Sequence, residues 1–495
     1  MHFGGMDAYQ NLIDHLRGSD HIQSASRLLQ WDQETGMPAG GDDTRAEILA
    51  TLAGIDHERS TSSRFRDLVE AARAQANSAD RRRQLELVDR DLARASKVSA
   101  SLVERLARTT SLSQQVWSKA RSRRDFKLFQ PHLEKVVALK REEGACLAPE
   151  GGTAYDGLLS DYEPQMRTAQ WSTLFDELER ELPELVGRIV EKQAPENRRL
   201  DSIPGLRGPF PGQAQMEVCR RLSSVLGFDF HRGRLELSAH PFTETIHLGD
   251  SRITTRIDEA ELAGSVFSTL HETGHALYDQ GLPQELSGTP LGSCGSMSVH
   301  ESQSRLWENL VGRSDEFWQE NWHLLRDAFA ALSDVRMEDW TAHARRVAPT
   351  LVRTESDEAT YNLHILVRFR LETALISGDL SVQDLPGAWN ESYRAIVGVV
   401  PSHDGDGVLQ DVHWSAGLFG YFPTYTLGNI LSAQLYRAAA DQGATADRAS
   451  LLAWLRRNIH HKARSLETVD LVREATGKIP GATDFLSHLR ERYLG

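Results

Sequence analysis

The stretch Ser268-Thr269-Leu270-His271-Glu272-Thr273-Gly274-His275-Ala276-Leu277-Tyr278 constrains this chain most, because it reads as a helix that brings two imidazoles to one point. Residues four apart on a helix share a face about one turn apart, so His271 and His275 can reach one ion while Glu272 stands beside it. The flanks agree with a helix. Leu262, Val266, Leu270 and Leu277 recur as a core-facing stripe, His271, His275 and Tyr278 fall on another face, and Gly281 supplies a stop. Taken alone, the same residues also fit two buried histidines on an ordinary core helix.

The spacing is H-E-x-x-H, and a catalytic zinc of this type takes three protein ligands and leaves a fourth position for water. A third ligand is therefore needed downstream. Val299-His300-Glu301-Ser302-Gln303-Ser304-Arg305-Leu306 opens a second amphipathic segment, with Leu306 and Leu310 one turn apart and Gly312 near its end. Glu301 follows His275 by 26 residues (301 − 275), enough for a loop through Gly281 to Gly295 and a return on a neighbouring helix. His300 competes for the role, but adjacent helical residues point about 100° apart, so one of the pair faces the ion. Glu301 is the choice, and Glu308, two turns on, is expected to pair at the surface. In this scheme Glu272 takes a proton from an activated water and passes it to the leaving amine, which is peptide-bond hydrolysis.

Composition narrows the partners. With 70 acidic and 56 basic residues the net charge is −14, which argues against nucleic acid or an anionic membrane surface. No window approaches the roughly 18 uninterrupted apolar residues of a membrane-spanning helix. Met1 to Tyr9 lacks a basic segment followed by an apolar run, so no secretory signal is expected. Cys146, Cys219 and Cys294 are far apart and odd in number, which predicts reduced thiols and a cytoplasmic protein.

The predicted fold is mainly α, with a deep groove and one small antiparallel sheet. Residues 7 to 190 are rich in Leu, Ala, Arg, Glu and Gln with apolar residues at three and four spacing, so this half reads as a helical array. Two stretches interrupt it, Trp31-Asp32-Gln33-Glu34 and Asp161-Tyr162-Glu163-Pro164, and their carboxylates are expected to be solvated or capping. Pro195 to Gly212 holds four prolines and is the expected connection between an N-terminal half, 1–200, and a metal-binding half, 201–495, of a single catalytic unit. Arg234 to His240 and Ser251 to Ile257 alternate apolar and polar residues, with Gly249-Asp250 turning before the second. They predict the antiparallel sheet just upstream of the metal helix.

Hydrolysis also needs hydrogen-bond donors where negative charge develops. Gln410-Asp411-Val412-His413-Trp414 and Gly420-Tyr421-Phe422-Pro423-Thr424-Tyr425 hold a His and two Tyr suited to that task, and equally suited to an aromatic core edge.

Together these residues amount to a resemblance. The chain resembles the carboxypeptidase Taq family of metallocarboxypeptidases from Trp31 to Phe485. Five motifs carry the likeness: Asp250-Ser251-Arg252-Ile253-Thr254, His271-Glu272-Thr273-Gly274-His275, His300-Glu301-Ser302-Gln303, Val352-Arg353-Thr354-Glu355-Ser356-Asp357, and Gly407 to Trp414. The resemblance implies a helical fold similar to neurolysin-like and angiotensin-converting-type peptidases, with an N-terminal part covering the cleft. It implies removal of single residues from peptides with a free C-terminus, a zinc or cobalt ion, and a homodimer. By position it makes His271, His275 and Glu301 metal ligands and Glu272 the general base. His413 and Tyr425 correspond to the pair that binds the scissile carbonyl, with Tyr421 as the alternative. A terminal carboxylate is best met by a bidentate arginine. Arg353, followed by Asp357, Tyr361 and His364 at helical spacing, is the favoured anchor, whereas Arg252 can line the groove or pair with an acid. Position 356 is Ser where the family more often has Ala.

Other readings are an endopeptidase or oligopeptidase on the same metal site, a helical scaffold around a structural zinc, and a di-iron carboxylate protein. The last arises because Glu244-Thr245-Ile246-His247 repeats the E-x-x-H of Glu272 to His275. It needs both motifs on helices, and Glu244 follows His240-Pro241-Phe242 in a β-like stretch. Structural zinc normally has a closed shell of Cys and His, and no cysteine lies near either segment.

Overall fold

A computed structural model describes residues 7–495, so the expectation about a leader at Met1 to Met6 lies outside the described residues. The first part of the chain is helical: α1 (Ala8–Thr35), α2 (Asp42–Thr61), α3 (Ser63–Arg73), α4 (Ala79–Lys97), α5 (Ala100–Arg123), α6 (Phe126–Leu147), α7 (Ala154–Leu159), α8 (Thr168–Asp201) and α9 (Gly212–Leu226). Ser62, Ser78, Ser99 and Asp125 open α3 to α6 by accepting hydrogen bonds from first-turn amides, which explains why these helices start where they do.

Three strands follow, β1 (Gly233–Leu237), β2 (Thr243–His247) and β3 (Asp250–Thr255), and then the metal-motif helix α10 (Ala263–Gly281). Next come α11 (Met297–Arg305), continued by a π-helical turn over Leu306–Val311, then α12 (Asp315–Ala328), α13 (Met337–Ala344), α14 (Tyr361–Ser377), α15 (Leu385–Ser392) and α16 (Phe422–Asp441). Helices α17 (Arg448–Asn458), α18 (Thr468–Thr476) and α19 (Thr483–Tyr493) close the chain.

The helical array and the small sheet are present, with two corrections. The strand order is β1-β3-β2, and the two runs expected to pair antiparallel are parallel neighbours. The antiparallel partner of β3 is β2, joined to it by the turn at Leu248-Gly249. A run as polar as Thr-Glu-Thr-Ile-His carries little apolar alternation, which is why it did not read as a core strand. Pro195 also lies inside α8 rather than in a connection. Glu191, whose carbonyl that proline leaves without a donor, is exposed, so water can satisfy it.

One large core extends from Ala120 to Tyr493 and includes α6, α7 and α8 with the metal-bearing helices. A small separate cluster, Leu12, Phe65, Val69, Ala72, Leu85 and Val88, holds α1, α3 and α4 together. This N-terminal layer rests on the sheet. The Arg27 guanidinium on α1 donates to the Ile246 carbonyl of β2 at 2.9 and 3.1 Å.

Candidate metal centre and substrate cleft

Helix α10 carries His271, Glu272 and His275, and α11 lies against it closely enough that Gly274 is required. A Cβ at 274 would stand 2.7 Å from the Gln303 carbonyl oxygen and the Ser304 Cα. On α11, Glu301 meets α16 at Gly428, where a Cβ would fall 2.4 Å from Glu301 Cγ. Two glycines therefore let three helices converge on one carboxylate.

The result is a donor cluster. Glu301 Oε2 lies 3.7 Å from His271 Nε2 and 3.4 Å from His275 Nε2, and the three donor atoms all lie within 4.8 Å of one another. His271 Nδ1 faces Glu308 Oε2 at 2.9 Å, which fixes the tautomer that leaves Nε2 free to ligate. Two imidazoles and a carboxylate with the remaining directions open form a donor set that suits a divalent ion of the zinc type.

Glu308 corrects the expectation of a surface pair. It is buried, and it also accepts from Arg305 at 3.2 Å and Arg313 at 3.0 Å. Seven residues are about two turns, so Glu308 shares the face of Glu301, and α10 with His271 covers that face and buries it. Arg305 Nε in turn donates to Glu301 Oε1 at 2.7 Å. Burial pushes the carboxyls of Glu301 and Glu308 up, but Arg305 and the histidines outweigh it and hold both well below the usual carboxylate range.

His300 takes a supporting place. Its ring stacks on His275 with centroids 4.5 Å apart, and its Nε2 lies 3.1 Å from Asp279 Oδ1. Thr243, on β2, donates to Glu272 Oε2 at 2.6 Å and so aims the carboxylate beside the donor cluster.

These groups open onto a cavity of about 920 Å³, and Arg353, Tyr421 and Tyr425 line it as well. His413 stands behind the two tyrosines, 3.4 Å from the Tyr425 hydroxyl and with ring centroids 5.6 Å from Tyr421. Burial, together with Arg353 and Arg368, lowers the His413 imidazole to about 3, so it is neutral at ordinary pH. Arg353 is buried, with Nε and Nη2 donating to Asp411 Oδ1 at 3.0 and 2.9 Å and Nη1 donating to the Tyr361 hydroxyl at 2.7 Å. Three of its five N–H bonds are thus engaged. It lies on a short turn, Arg353–Glu355, rather than on a helix with Tyr361 and His364.

Arg252 resolves the other way. It forms a two-toothed pair with Asp250 at 2.9 and 2.7 Å and lies over the Trp31 ring at 4.5 Å, away from the cavity wall. Arg256 lines the wall instead, exposed and without an ion pair among the described residues. Sequence reasoning also missed Arg368, fully buried and bonded to Asp411 Oδ2 at 2.5 and 2.7 Å, which fixes the acid that holds Arg353. The signal for Arg305 was present, since it stands four residues after Glu301 on one helix face. Glu244 to His247 form strand β2, which removes the di-iron arrangement.

The family described as carboxypeptidase Taq (M32) metallopeptidase matches residues 11–493. Thermostable carboxypeptidase 1 of Thermus thermophilus is 42% identical over 505 aligned residues, covering 98% of each chain. The crystal structure of the M32 carboxypeptidase from Deinococcus radiodurans R1 superposes with a TM-score of 0.93 at 36% identity, covering 98% of both chains. Trypanosoma cruzi metallocarboxypeptidase 1 gives 0.94 at 33% identity, covering 99% of this chain and all of the other.

Proposed function

The chain belongs to the carboxypeptidase Taq (M32) family of metallopeptidases, and from that premise we propose that it releases single residues from peptides with a free C-terminus. The observation that carries this reading is the convergence of His271, His275 and Glu301 beside Glu272, in a cavity whose wall holds Arg353. The proposed ion is zinc, with cobalt able to take its place.

His271, His275 and Glu301 would hold a divalent ion, which when bound would acidify a water and polarise the scissile carbonyl. Glu272, aimed by Thr243, accepts the water proton and delivers it to the amine that leaves when the C–N bond breaks. The Tyr425 hydroxyl, with neutral His413 behind it, donates to the carbonyl oxygen as charge develops, and Tyr421 is the alternative donor. Arg353 offers its two remaining N–H bonds to the terminal carboxylate, pre-positioned by Asp411 and Tyr361. The paired state of Arg252 suits a role in holding the sheet against Trp31.

We read the chain as one catalytic unit, 1–495, whose N-terminal half, 1–200, covers the cleft, in a homodimer. Leu28, Ile48 and Ile55, 39 to 44% exposed, are apolar residues of α1 and α2, and there we place the contact with a second copy. Among the described residues no helix is long and apolar enough to cross a membrane, and the three cysteines are unpaired, which fits the proposed cytoplasmic setting. An N-blocked peptide acid and its C-terminal amide, incubated with chelated protein with and without zinc or cobalt, test the activity. Metal-dependent release from the acid alone is expected; equal cleavage of both would make the protein an endopeptidase. Size-exclusion chromatography of the wild type and of Ile48→Glu tests the dimer, and a wild-type monomer would refute it.

A further inference from the structure

A second cavity of about 750 Å³ lies between the N-terminal layer and β2, within the size range of ligand sites. It adjoins the metal cleft, because Thr243 and His300 stand in the walls of both. Helix α10 serves as a ruler between them. The metal cleft follows it from Ala263 to His275, and the second cavity touches it at Asp279, four residues on (279 − 275). That step is about 6 Å.

The two ends differ in charge. The metal cleft sets five arginines, Arg256, Arg305, Arg313, Arg346 and Arg353, against six acids, with Arg313 4.0 Å over the Phe267 ring of α10. The wall of the second cavity carries five acids, Asp20, Asp56, Asp91, Glu244 and Asp279, against two arginines. Of its two arginines, Arg27 is committed to Asp20 and the Ile246 carbonyl, and Arg464 reaches Ser293 at 3.5 Å. Asp20 and Asp56 accept hydrogen bonds from Arg27 and Gln23, whereas Glu244, like Asp91, accepts none among the described residues. Strand alternation turns Thr243 and Thr245 toward α10, where they bond Glu272 and Asp279, and turns Glu244 to the opposite face toward α1. Among the described residues it has neither a hydrogen bond nor an ion pair. Burial pushes its carboxyl up to about 7, with Arg27 opposing and Asp279 adding to the rise, so the ionised form gains from a cation placed against it.

We propose that this cavity receives the amino-terminal side of a peptide whose C-terminus lies in the metal cleft, and that Glu244 pairs there with a positive charge. The inference rests on the carboxypeptidase reading, which assigns the carboxylate to Arg353 in the metal cleft and sends the rest of the chain past His275. The charge is either the free ammonium of a short peptide or an upstream Lys or Arg side chain.

The test uses three tetrapeptides that share their last three residues: acetyl-norleucine first, acetyl-lysine first, and norleucine first with a free amine. Relative kcat/KM for release of the last residue is read for wild type, Glu244→Gln and Glu244→Asp. The ratio between peptides is independent of the folded fraction of each variant. One or both cationic peptides should be favoured by about tenfold in wild type, and which one identifies the charge. The preference should fall to parity in Glu244→Gln and return in Glu244→Asp. No preference in wild type, or one that survives Glu244→Gln, would overturn the proposal. Absence of release from all three peptides with metal supplied would instead overturn the carboxypeptidase reading.

Discussion

His271 Nδ1 lies 2.9 Å from Glu308 Oε2, and the same carboxylate is held by Arg305 and Arg313. The buried acid therefore sets the tautomer and the angle of a proposed metal ligand from outside the His271, His275 and Glu301 donor set. Removing such a partner typically costs about 10- to 100-fold in metal affinity. Glu308→Gln is expected to weaken zinc by that factor, read by competitive titration of the chelated protein. Unchanged affinity would reduce Glu308 to a structural ion pair.

Glu272 is placed to move protons and not to ligate. Glu272→Gln should bind zinc as tightly as the wild type while turnover falls by at least about 10²-fold. Near-normal turnover with metal bound would remove Glu272 from the reaction.

Gly428 faces the Cβ and Cγ of Glu301 at 2.7 and 2.4 Å from a would-be Cβ. These atoms sit next to the α11 backbone and cannot rotate away. Gly428→Ala should therefore displace Glu301, at an overpacking cost of about 1–3 kcal/mol, and weaken metal binding together with stability. An unfolding midpoint and a zinc affinity both equal to wild type would show that α16 can retreat from α11.

The metal-motif helix and the approach of Glu301 to it were legible because the spacing of His271, His275 and their apolar flanks survives intact in one regular helix, Ala263–Gly281. Glu308 was not, since its burial depends on α10 and Arg313 closing over that face of α11. The pairing of β1 with β3 was hidden for another reason: β2 is short and polar, and its place at the sheet edge depends on α1 and α10 packing against it. The network of Asp411 with Arg353 and Arg368 joins residues far apart in sequence, so no local pattern announced it. Glu163, expected to be solvated, is buried for the same reason: its partners come from other segments.

The tyrosines are separable by experiment. Tyr425 lies 3.4 Å from His413 Nε2, while Tyr421 packs edge-on against Tyr162 with centroids 5.1 Å apart. Loss of an oxyanion donor costs about 10²- to 10³-fold in kcat. Tyr425→Phe should show that loss with zinc affinity intact, and Tyr421→Phe a small effect. The reverse result would exchange their roles.

Glu163 gives the chain a pH dependence of stability. Its carboxyl is 1% exposed, accepts from Thr468, and joins the loop before α8 to the start of α18; the hydroxyl of Ser296, the cap of α11, lies 2.9 Å from the Thr468 hydroxyl. Burial raises the carboxyl to about 7 against a small lowering by Ser296 and Thr468. The unfolded chain releases this proton at ordinary carboxyl pH, so the native state binds more protons between there and about pH 7. Its stabilising share is complete below that window and is lost as pH rises through it, at about 1.4 kcal/mol for each pH unit crossed. Glu163→Gln keeps a neutral side chain of the same shape at every pH. Its urea unfolding midpoint should therefore fall less than the wild-type midpoint between pH 5 and pH 8. Equal falls in the two proteins would mean that Glu163 is already ionised in the folded chain and that the Ser296 cap is held by a charge.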